Sequence, residues 1–205
     1  MQSCTDVIIA SYLPRDAAAV VALEGEIRAT AGTKVHVHPT CLNACASANR
    51  NRGLDLSGSP VRIMLDDDVT GLPQDWVVKL VDLMERNSNC VMTSPQLMNA
   101  DGSFGFMLGF PQRRSFGESV VELRELPTAC IAVRENALRF DENFVGSGWE
   151  DTDYCAQLRQ EYPEGTWMIC HDVRVVHTHE MKNQREHFMR NKAVYLAKWG
   201  KLQGE

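Results

Sequence analysis

Three consecutive aspartates, Asp66, Asp67 and Asp68, directly follow the short run "RIML" at 62–65. Adjacent carboxylates repel one another, so their ionised forms need either a compensating charge or full hydration. A divalent cation that is held by oxygen ligands and shared with a phosphate supplies such a charge. The other explanation is a solvated turn, because aspartate is common where strands end. The triplet alone therefore indicates either a metal and phosphate site or a polar turn.

Only two of the three aspartates are expected to share an ion. Side chains alternate between the two faces of an extended strand, so Asp66 and Asp68 point the same way while Asp67 points the opposite way. His177 ends a second apolar run, "VRVVH", and neutral imidazole suits a borderline ion such as Mn²⁺. A histidine at a strand end is also common without any ligand. His177 is therefore a candidate third metal ligand, and an ordinary strand-end histidine is the other explanation.

A second group of carboxylates lies in "GSGWEDTDY" at 146–154, where glycines leave room for a ligand and Trp149 offers a flat face for a sugar. Glu150, Asp151 and Asp153 follow, and a carboxylate fixed at a helix start is well placed to act as a general base. Helix capping is the competing explanation, because Ser147 and Glu150 fit the S-x-x-E capping box. Capping and catalysis are compatible, so both remain open.

Alternating strand and helix patterns are expected to position these groups. Apolar runs at 5–10, 34–38, 61–65 and 90–95 predict strands, and helical patterns lie between them. This alternation predicts an α/β fold with a mostly parallel sheet that is flanked by helices. Ligands bind such sheets at the carboxyl ends of the strands, which is where the three aspartates lie.

The later part of the chain has a different pattern. Residues 99–119 are rich in Gly and Phe without clear periodicity, as is typical of a functional or mobile loop. A strand is predicted at 128–134, and two short strands at 166–170 and 173–177. A final helix is predicted from about Asn183 to Trp199. A helix also begins in the first half at about residue 42 and is expected to end at Gly53.

The composition limits the partners and the compartment. The 205 residues, of which 44% are hydrophobic, suffice for one well-buried domain but not for two. The net charge of −6 disfavours nucleic acid as a partner, and no stretch has the length of a membrane span. The seven cysteines are odd in number and mostly lie in apolar runs. We therefore expect a cytoplasmic protein, and a homo-oligomer formed through the last helix stays open.

Several segments, taken in order, resemble the motifs of glycosyltransferase family 2 and its relatives with the GT-A fold. The later half also resembles the galactosyltransferase and polypeptide N-acetylgalactosaminyltransferase groups. The segments are "VIIASY" (7–12), "NRNRGL" (49–54), "IMLDDDV" (63–69), "FDENFVGSGWEDTDYCAQLR" (140–159) and "VVH" (175–177).

This resemblance implies a single Rossmann-like GT-A domain over residues 1–205, with a mixed, mostly parallel sheet flanked by helices. It also implies a nucleotide-binding half at 1–95, an acceptor-binding half at 96–180 and a C-terminal helix at 181–205.

The resemblance also implies a role for individual residues. Asp66 and Asp68 would hold Mn²⁺ or Mg²⁺ against the diphosphate of a nucleotide sugar, and His177 would complete the metal shell. Asp151 takes the position of the catalytic base. The remaining implied contacts are with the nucleotide sugar at Ser11, Tyr12, Arg50, Asp66, Asp67 and Asp68, and with the acceptor at Trp149 and Glu150.

The implied reaction is transfer of a sugar from a nucleotide-diphosphate sugar, with a UDP-sugar favoured, to the hydroxyl of a carbohydrate or other acceptor. A base on the acceptor side favours in-line displacement with inversion. The Q/R-x-x-R-W motif of processive family members is missing from the sequence, so we expect a non-processive enzyme. The family commonly has an acidic "DDGS" after its second strand, whereas this chain has "VHVHPTCLNAC", which leaves the nucleobase open.

Other functions compete with this assignment. His36, His38, Cys41 and Cys45 are four zinc-ligand types within ten residues, although their spacing differs from that of the usual zinc knuckle. A sugar nucleotidyltransferase would share the sheet and the carboxylate–metal chemistry, but "ASYLPRD" has no glycine where those enzymes have a glycine-rich loop. A non-catalytic module that binds zinc or a nucleotide sugar is the third alternative.

Overall fold

The computed structural model describes residues 4–42, 45–105, 120–123, 125–146, 148–178 and 185–200. Within these ranges the strands are β1 (Thr5–Ala10), β2 (Val35–Thr40), β3 (Val61–Asp66), β4 (Val69–Thr70), β5 (Cys90–Met98), β6 (Val120–Leu123), β7 (Cys130–Arg134) and β8 (Thr166–His177). The helices are α1 (Ala18–Thr30), α2 (Ala46–Leu56), α3 (Trp76–Arg86), α4 (Glu150–Glu161) and α5 (Arg185–Trp199). None of these helices is long and apolar enough to cross a bilayer.

All eight described strands belong to one sheet, in the order β2-β1-β3-β7-β5-β8-β4, with β6 also paired to β8. β1 is parallel to β2 and β3, and β5 is parallel to β8. β7 lies antiparallel between β3 and β5, while β4 and β6 are antiparallel to β8. Five of these eight strands therefore run in one direction, which confirms the predicted mixed, mostly parallel α/β fold.

The central strands are buried on both faces, which explains their continuous apolar sequences. Ile8 of β1 and Met64 of β3 are fully buried, and they share one core with Ile27 of α1 and Trp76 of α3. Four cysteines also lie in this core, as their apolar surroundings predicted: Cys90, Cys130, Cys155 and Cys170. Burial fixes the strand register, because a slip by one residue would expose the apolar side chains. As a result Ala10 lies opposite Asp66, so the ends of β1 and β3 stay side by side.

Helix α2 does not end at Gly53 as predicted but continues to Leu56. A Cβ atom built on Gly53 would overlap the side chain of Ile8 in β1. The missing side chain therefore lets α2 lie close against the sheet, and this packing outweighs the low helix propensity of glycine. The same helix carries Arg50, so the glycine contact helps to position that side chain.

The two short strands predicted at 166–170 and 173–177 form the single strand β8. Pro95 pairs with Cys170 and the next residue, Gln96, pairs with Arg174, so residues 171–173 bulge from the ladder. This bulge explains why the sequence pattern appeared interrupted. Most of the irregular segment predicted at 99–119, namely residues 106–119, lies outside the described residues.

We expect Gly53→Ala to lower the free energy of unfolding by about 1–3 kcal/mol, because the new methyl group must displace Ile8 or the helix. Gly25→Ala is the matched control, since Gly25 also lies inside a helix but an added Cβ would have no neighbour within 4 Å. That control should gain about 0.5–1 kcal/mol from helix propensity. Urea unfolding measures both effects. Equal shifts in the two variants would contradict the close packing of α2 on β1.

Candidate functional site

Three side chains with ligand atoms meet at the carboxyl end of β3. Asp66 is the last residue of that strand, Asp68 follows in the turn before β4, and His177 is the last residue of β8. One nitrogen or oxygen from each lies within 4.8 Å of the other two. In the described ranges no other group of three His, Cys, Asp or Glu side chains meets this criterion. Two carboxylates and an imidazole are a donor set that suits Mn²⁺ or a similar divalent ion.

The two-residue strand β4 carries the aspartate turn to His177. Val69 of β4 pairs with His177 across the antiparallel ladder with β8. The Asp68 carbonyl accepts hydrogen bonds from the backbone N–H of Thr178 at 3.3 Å and from its hydroxyl at 3.0 Å. His177 Nε2 then lies 3.3 Å from Asp68 Oδ1. A strand too short to predict from sequence therefore assembles this group.

The protonation of Asp66 and His177 depends on burial and on the charges next to them. Burial, reinforced by the charge of Asp68 and opposed by Arg50, raises the pKa of Asp66 to about 6. Burial lowers the pKa of His177, but the hydrogen bond and charge of Asp68, together with Asp66, outweigh it and raise that pKa above its ordinary value. A metal ion needs the carboxylate ionised and the imidazole neutral. Protons therefore compete with a cation at this position.

Arg50 of α2 joins Asp66 to Glu150, the first residue of α4. Its side chain is only 3% exposed; Nη2 lies 2.6 Å from Asp66 Oδ1, and Nη1 lies 3.7 Å from Glu150 Oε1. The guanidinium also lies 5.3 Å from the ring centre of Phe140. Burial and the charge of Asp151 raise the pKa of Glu150 well above its usual range, while Arg50 opposes them. Arg50 is therefore the cation that compensates two largely buried carboxyl groups.

The remaining residues predicted to meet the nucleotide lie on the β1 side of this group. The buried Ser11 hydroxyl donates to Asp67 Oδ2 at 2.6 Å and accepts the N–H of Leu13 at 2.8 Å. Tyr12, the next residue, is 53% exposed. Ser11 and Asp67 thus form one connected edge, and Tyr12 stands at its surface.

The acidic helix begins next to the same group. α4 starts at Glu150, its N-cap is Trp149 with φ 73°, and no side chain among the described residues caps it. The predicted capping box is therefore wrong, because it would place Glu150 in the third helical position; Ser147 lies outside the described residues. Asp151 Oδ2 accepts the N–H of Thr128 at 3.2 Å. The next residue, Ala129, accepts the N–H of Asp66 at 2.9 Å, so Asp151 and Asp66 are attached to neighbouring residues.

Helix α5 packs on the start of α4, at Trp149 and Asp153. The Trp149 ring lies 5.2 Å from that of Tyr195 and 5.5 Å from that of Phe188. The indole N–H of Trp199 donates to Asp153 Oδ1 at 2.8 Å. Phe188, Tyr195 and Trp199 of α5 therefore contact the start of α4.

The four residues considered for zinc do not come together. His36 and His38 face Asp6 on the neighbouring strand: His38 Nε2 lies 2.8 Å and His36 Nδ1 3.6 Å from Asp6 Oδ1. Cys41 and Cys45 form no group of metal ligands with them in the part of the chain that the structure describes. The alternating histidines are explained by this strand pairing, and a zinc site at these four residues has no structural support.

No family model and no curated protein matches the chain. Solved structures do match it: GalNAc-T7 with UDP, GalNAc and Mn²⁺ has a TM-score of 0.61 at 14% identity, over 96% of this chain and 48% of that one. TarS 1–349 of S. aureus has a TM-score of 0.59 at 11% identity, over 100% of this chain and 67% of that one. A197 from STIV has a TM-score of 0.53 at 9% identity, over 87% of each chain.

The fold is that of GT-A glycosyltransferases. The GT-A part of the sequence resemblance is thus confirmed, whereas membership of family 2 stays a prediction. Identities of 9–14% establish a shared fold and nothing finer. The chain spans about half the length of GalNAc-T7, 48%, so the activity of that whole protein does not transfer directly.

We expect Arg50→Met to lower the free energy of unfolding by about 3–5 kcal/mol near neutral pH, because Asp66 and Glu150 lose their buried cation. Both carboxyl groups have folded-state pKa values above their ordinary ones. The loss of stability caused by Arg50→Met is therefore full at high pH and becomes smaller as the two carboxyl groups are protonated. Denaturant unfolding near pH 7.5 and near pH 5 should therefore show a smaller loss at about pH 5.

Arg62→Met is the matched control for this pH effect. Arg62 is also buried. Its Nη2 lies 3.0 Å from Oε1 of Glu135, but this ion-pair partner is exposed. Its replacement should cost stability without recovery at lower pH. A loss in Arg50→Met that is independent of pH would contradict the charge compensation assigned to Arg50.

Proposed function

We propose that the chain is a metal-dependent, non-processive glycosyltransferase that moves a sugar from a nucleotide-diphosphate sugar to an acceptor hydroxyl with inversion. One observation carries the proposal: Asp66, Asp68 and His177 converge at the carboxyl edge of a GT-A sheet. The neighbouring carboxylate of Asp151, which is linked to Asp66 through residues 128–129, supports it.

Asp66, Asp68 and His177 would hold Mn²⁺ or Mg²⁺, and the residues around them fit that task. The bound ion supplies Lewis-acid stabilisation of the charge on the departing diphosphate. Arg50 orients Asp66, and Thr178 fixes the turn that carries Asp68. The pairing of β4 with β8 places His177. Because these supports come from the sheet and α2, the metal ligands are held before any substrate arrives.

We assign the β1 side to the nucleotide. The exposed ring of Tyr12 is suited to contact the nucleobase, and Asp67, which Ser11 holds, faces the ribose or the sugar. Arg50 acts on the nucleotide through Asp66, since its guanidinium is buried against two carboxyl groups. A UDP-sugar is the favoured donor, in line with the UDP present in the GalNAc-T7 structure.

We assign Asp151 as the base. It takes the proton of the acceptor hydroxyl while that oxygen attacks the anomeric carbon and the bond to the diphosphate breaks. The N–H of Thr128 fixes one of its carboxylate oxygens. Trp149 and Glu150 border the acceptor side, although the Glu150 carboxyl faces Arg50 and Trp149 packs beneath α5. The acceptor is a carbohydrate or another molecule with a hydroxyl group.

The cellular setting remains part of the proposal. We place the enzyme in the cytoplasm because most of its cysteines are buried as small apolar side chains. Nucleic acid stays disfavoured by the net charge of −6. A homo-oligomer formed through α5, where Phe188 and Met189 are exposed, stays a prediction.

The metal assignment is tested by a thermal-shift screen of UDP-, GDP-, CDP- and dTDP-sugars with and without Mn²⁺. We expect a UDP-sugar to stabilise the chain only with Mn²⁺, and Asp68→Ala or His177→Ala to weaken this binding by about tenfold or more. Binding should strengthen from about pH 5.5 to about pH 7.5, because protons leave Asp66 and His177.

Asp172→Ala, which removes an exposed carboxylate from the same strand as His177, serves as the control and should bind like the parent. Metal-independent binding, or equal binding by the His177→Ala variant, would contradict the assignment.

We expect Asp151→Asn to bind the UDP-sugar with Mn²⁺ as the parent does but to lose about a hundredfold or more in turnover, because the proton acceptor is gone. Hydrolysis of the donor by water provides the assay while the acceptor is unidentified. Glu161→Gln, an acid-to-amide change at the exposed end of the same helix, is the matched control and should keep full activity. Full turnover in Asp151→Asn would show that the base is another residue.

A further inference from the structure

One buried side chain of α5 binds the loop that leads into the acidic helix. Asn191 is 0% exposed and lies in the middle of α5. Its Nδ2 donates to the carbonyls of Val145 at 3.0 Å and Gly148 at 2.9 Å, and its Oδ1 accepts the N–H of Val145 at 3.2 Å. A single amide group therefore makes three hydrogen bonds to the backbone on the two sides of Gly146.

The backbone of this loop needs such support. Gly146 and Gly148 have φ values of 73° and 95°, and Trp149 has φ 73°. A left-handed conformation is unfavourable for a residue with a large side chain, so it persists only where the surroundings hold it. Trp149 is the N-cap of α4, so its backbone sets the direction in which Glu150 and Asp151 follow.

Aromatic and glycine contacts bring α5 close to the same loop. The Trp149 ring packs against Tyr195 and Phe188. A Cβ atom on Gly148 would lie 2.8 Å from Phe188 Cδ2, and one on Gly146 would lie 2.8 Å from His187 Cγ. The glycines thus allow an approach close enough for Asn191 to reach the backbone. Aromatic packing has little directional preference. The hydrogen bonds of the Asn191 amide are directional, so they hold the loop backbone in one orientation.

We propose that Asn191 is a positioning residue for the transfer reaction. By holding Val145 and Gly148 it fixes the first turn of α4, and so the Asp151 carboxylate, relative to the metal group. This inference rests on the proposed function for the role of Asp151. The metal group is held separately, by the pairing of β4 with β8 and by Arg50. Asn191 should therefore control turnover and leave nucleotide binding nearly unchanged.

Asn191→Ala and Asn191→Ser test the inference, with Asn136→Ala as the matched control. Asn136 also binds backbone, at Arg134 O and Leu138 N–H, but at the end of β7 opposite to Asp66. The serine variant keeps one hydroxyl donor, which makes it the milder change if the alanine variant folds poorly. Calorimetry with UDP and Mn²⁺ measures binding, and hydrolysis of the UDP-sugar selected by the thermal-shift screen measures turnover. Hydrogen exchange by mass spectrometry measures the loop itself.

For Asn191→Ala we expect UDP and Mn²⁺ to bind within about twofold of the parent, while kcat falls by about tenfold or more. The serine variant should lie between the two. Amide exchange over residues 145–153 should accelerate by about tenfold relative to Asn136→Ala, because the first turn of α4 loses its anchor. Loss of turnover without loss of binding is a result that a merely structural role would not produce.

Two results would overturn the inference: turnover of Asn191→Ala equal to that of Asn136→Ala, or a loss of turnover matched by an equal loss of UDP and Mn²⁺ binding. If the parent chain itself binds no nucleotide with Mn²⁺, the proposed function fails. The exchange measurement then decides alone: unchanged protection of residues 145–153 in Asn191→Ala would show that Asn191 does not hold the loop.

Discussion

Compensation of negative charge around Asp66 is the constraint on which the carboxyl edge of the sheet depends. Asp66 and Asp68 repel each other, as do Glu150 and Asp151, and burial makes this repulsion stronger than it would be in water. Asp66, Glu150 and Asp151 all act on the one guanidinium of Arg50. Arg50 supplies one positive charge from inside the protein. His177, whose pKa is raised, supplies a second partial charge at the surface. A divalent ion would complete this balance at the exposed side of the group, where Asp68 lies.

Two short connections bring these charged side chains to the same edge of the sheet. The pairing of β4 with β8 brings His177 to the aspartate turn, although the residues are far apart in the chain. Residues 128 and 129 bind Asp151 and Asp66 respectively, so the acidic helix and β3 are tied to one segment. The nucleotide side and the proposed base therefore have a common support. This arrangement keeps Asp66 and Asp151 in a fixed position relative to each other.

The residue types predicted much of the fold and part of the site. Buried strands leave continuous apolar runs and helices leave an apolar stripe. Asp66 and His177 end such strands and Asp68 follows one, so their positions followed from the sheet. Other features leave no local signal. β4 has only two residues, the helix α2 continues past Gly53 because of a tertiary contact, and Asn191 binds residues more than 40 positions away. Thr128 acts through its backbone N–H, which no side-chain pattern reveals.

The central claim is that side chains from β3, from the following turn and from β8 share one ion. A crystal of the chain grown with UDP and Mn²⁺, measured at the manganese absorption edge, tests it most directly. The account predicts one anomalous peak within about 2.0–2.4 Å of oxygen atoms of Asp66 and Asp68 and of a nitrogen of His177. A peak elsewhere on the protein, or UDP bound at this edge of the sheet with no manganese beside His177, would contradict it.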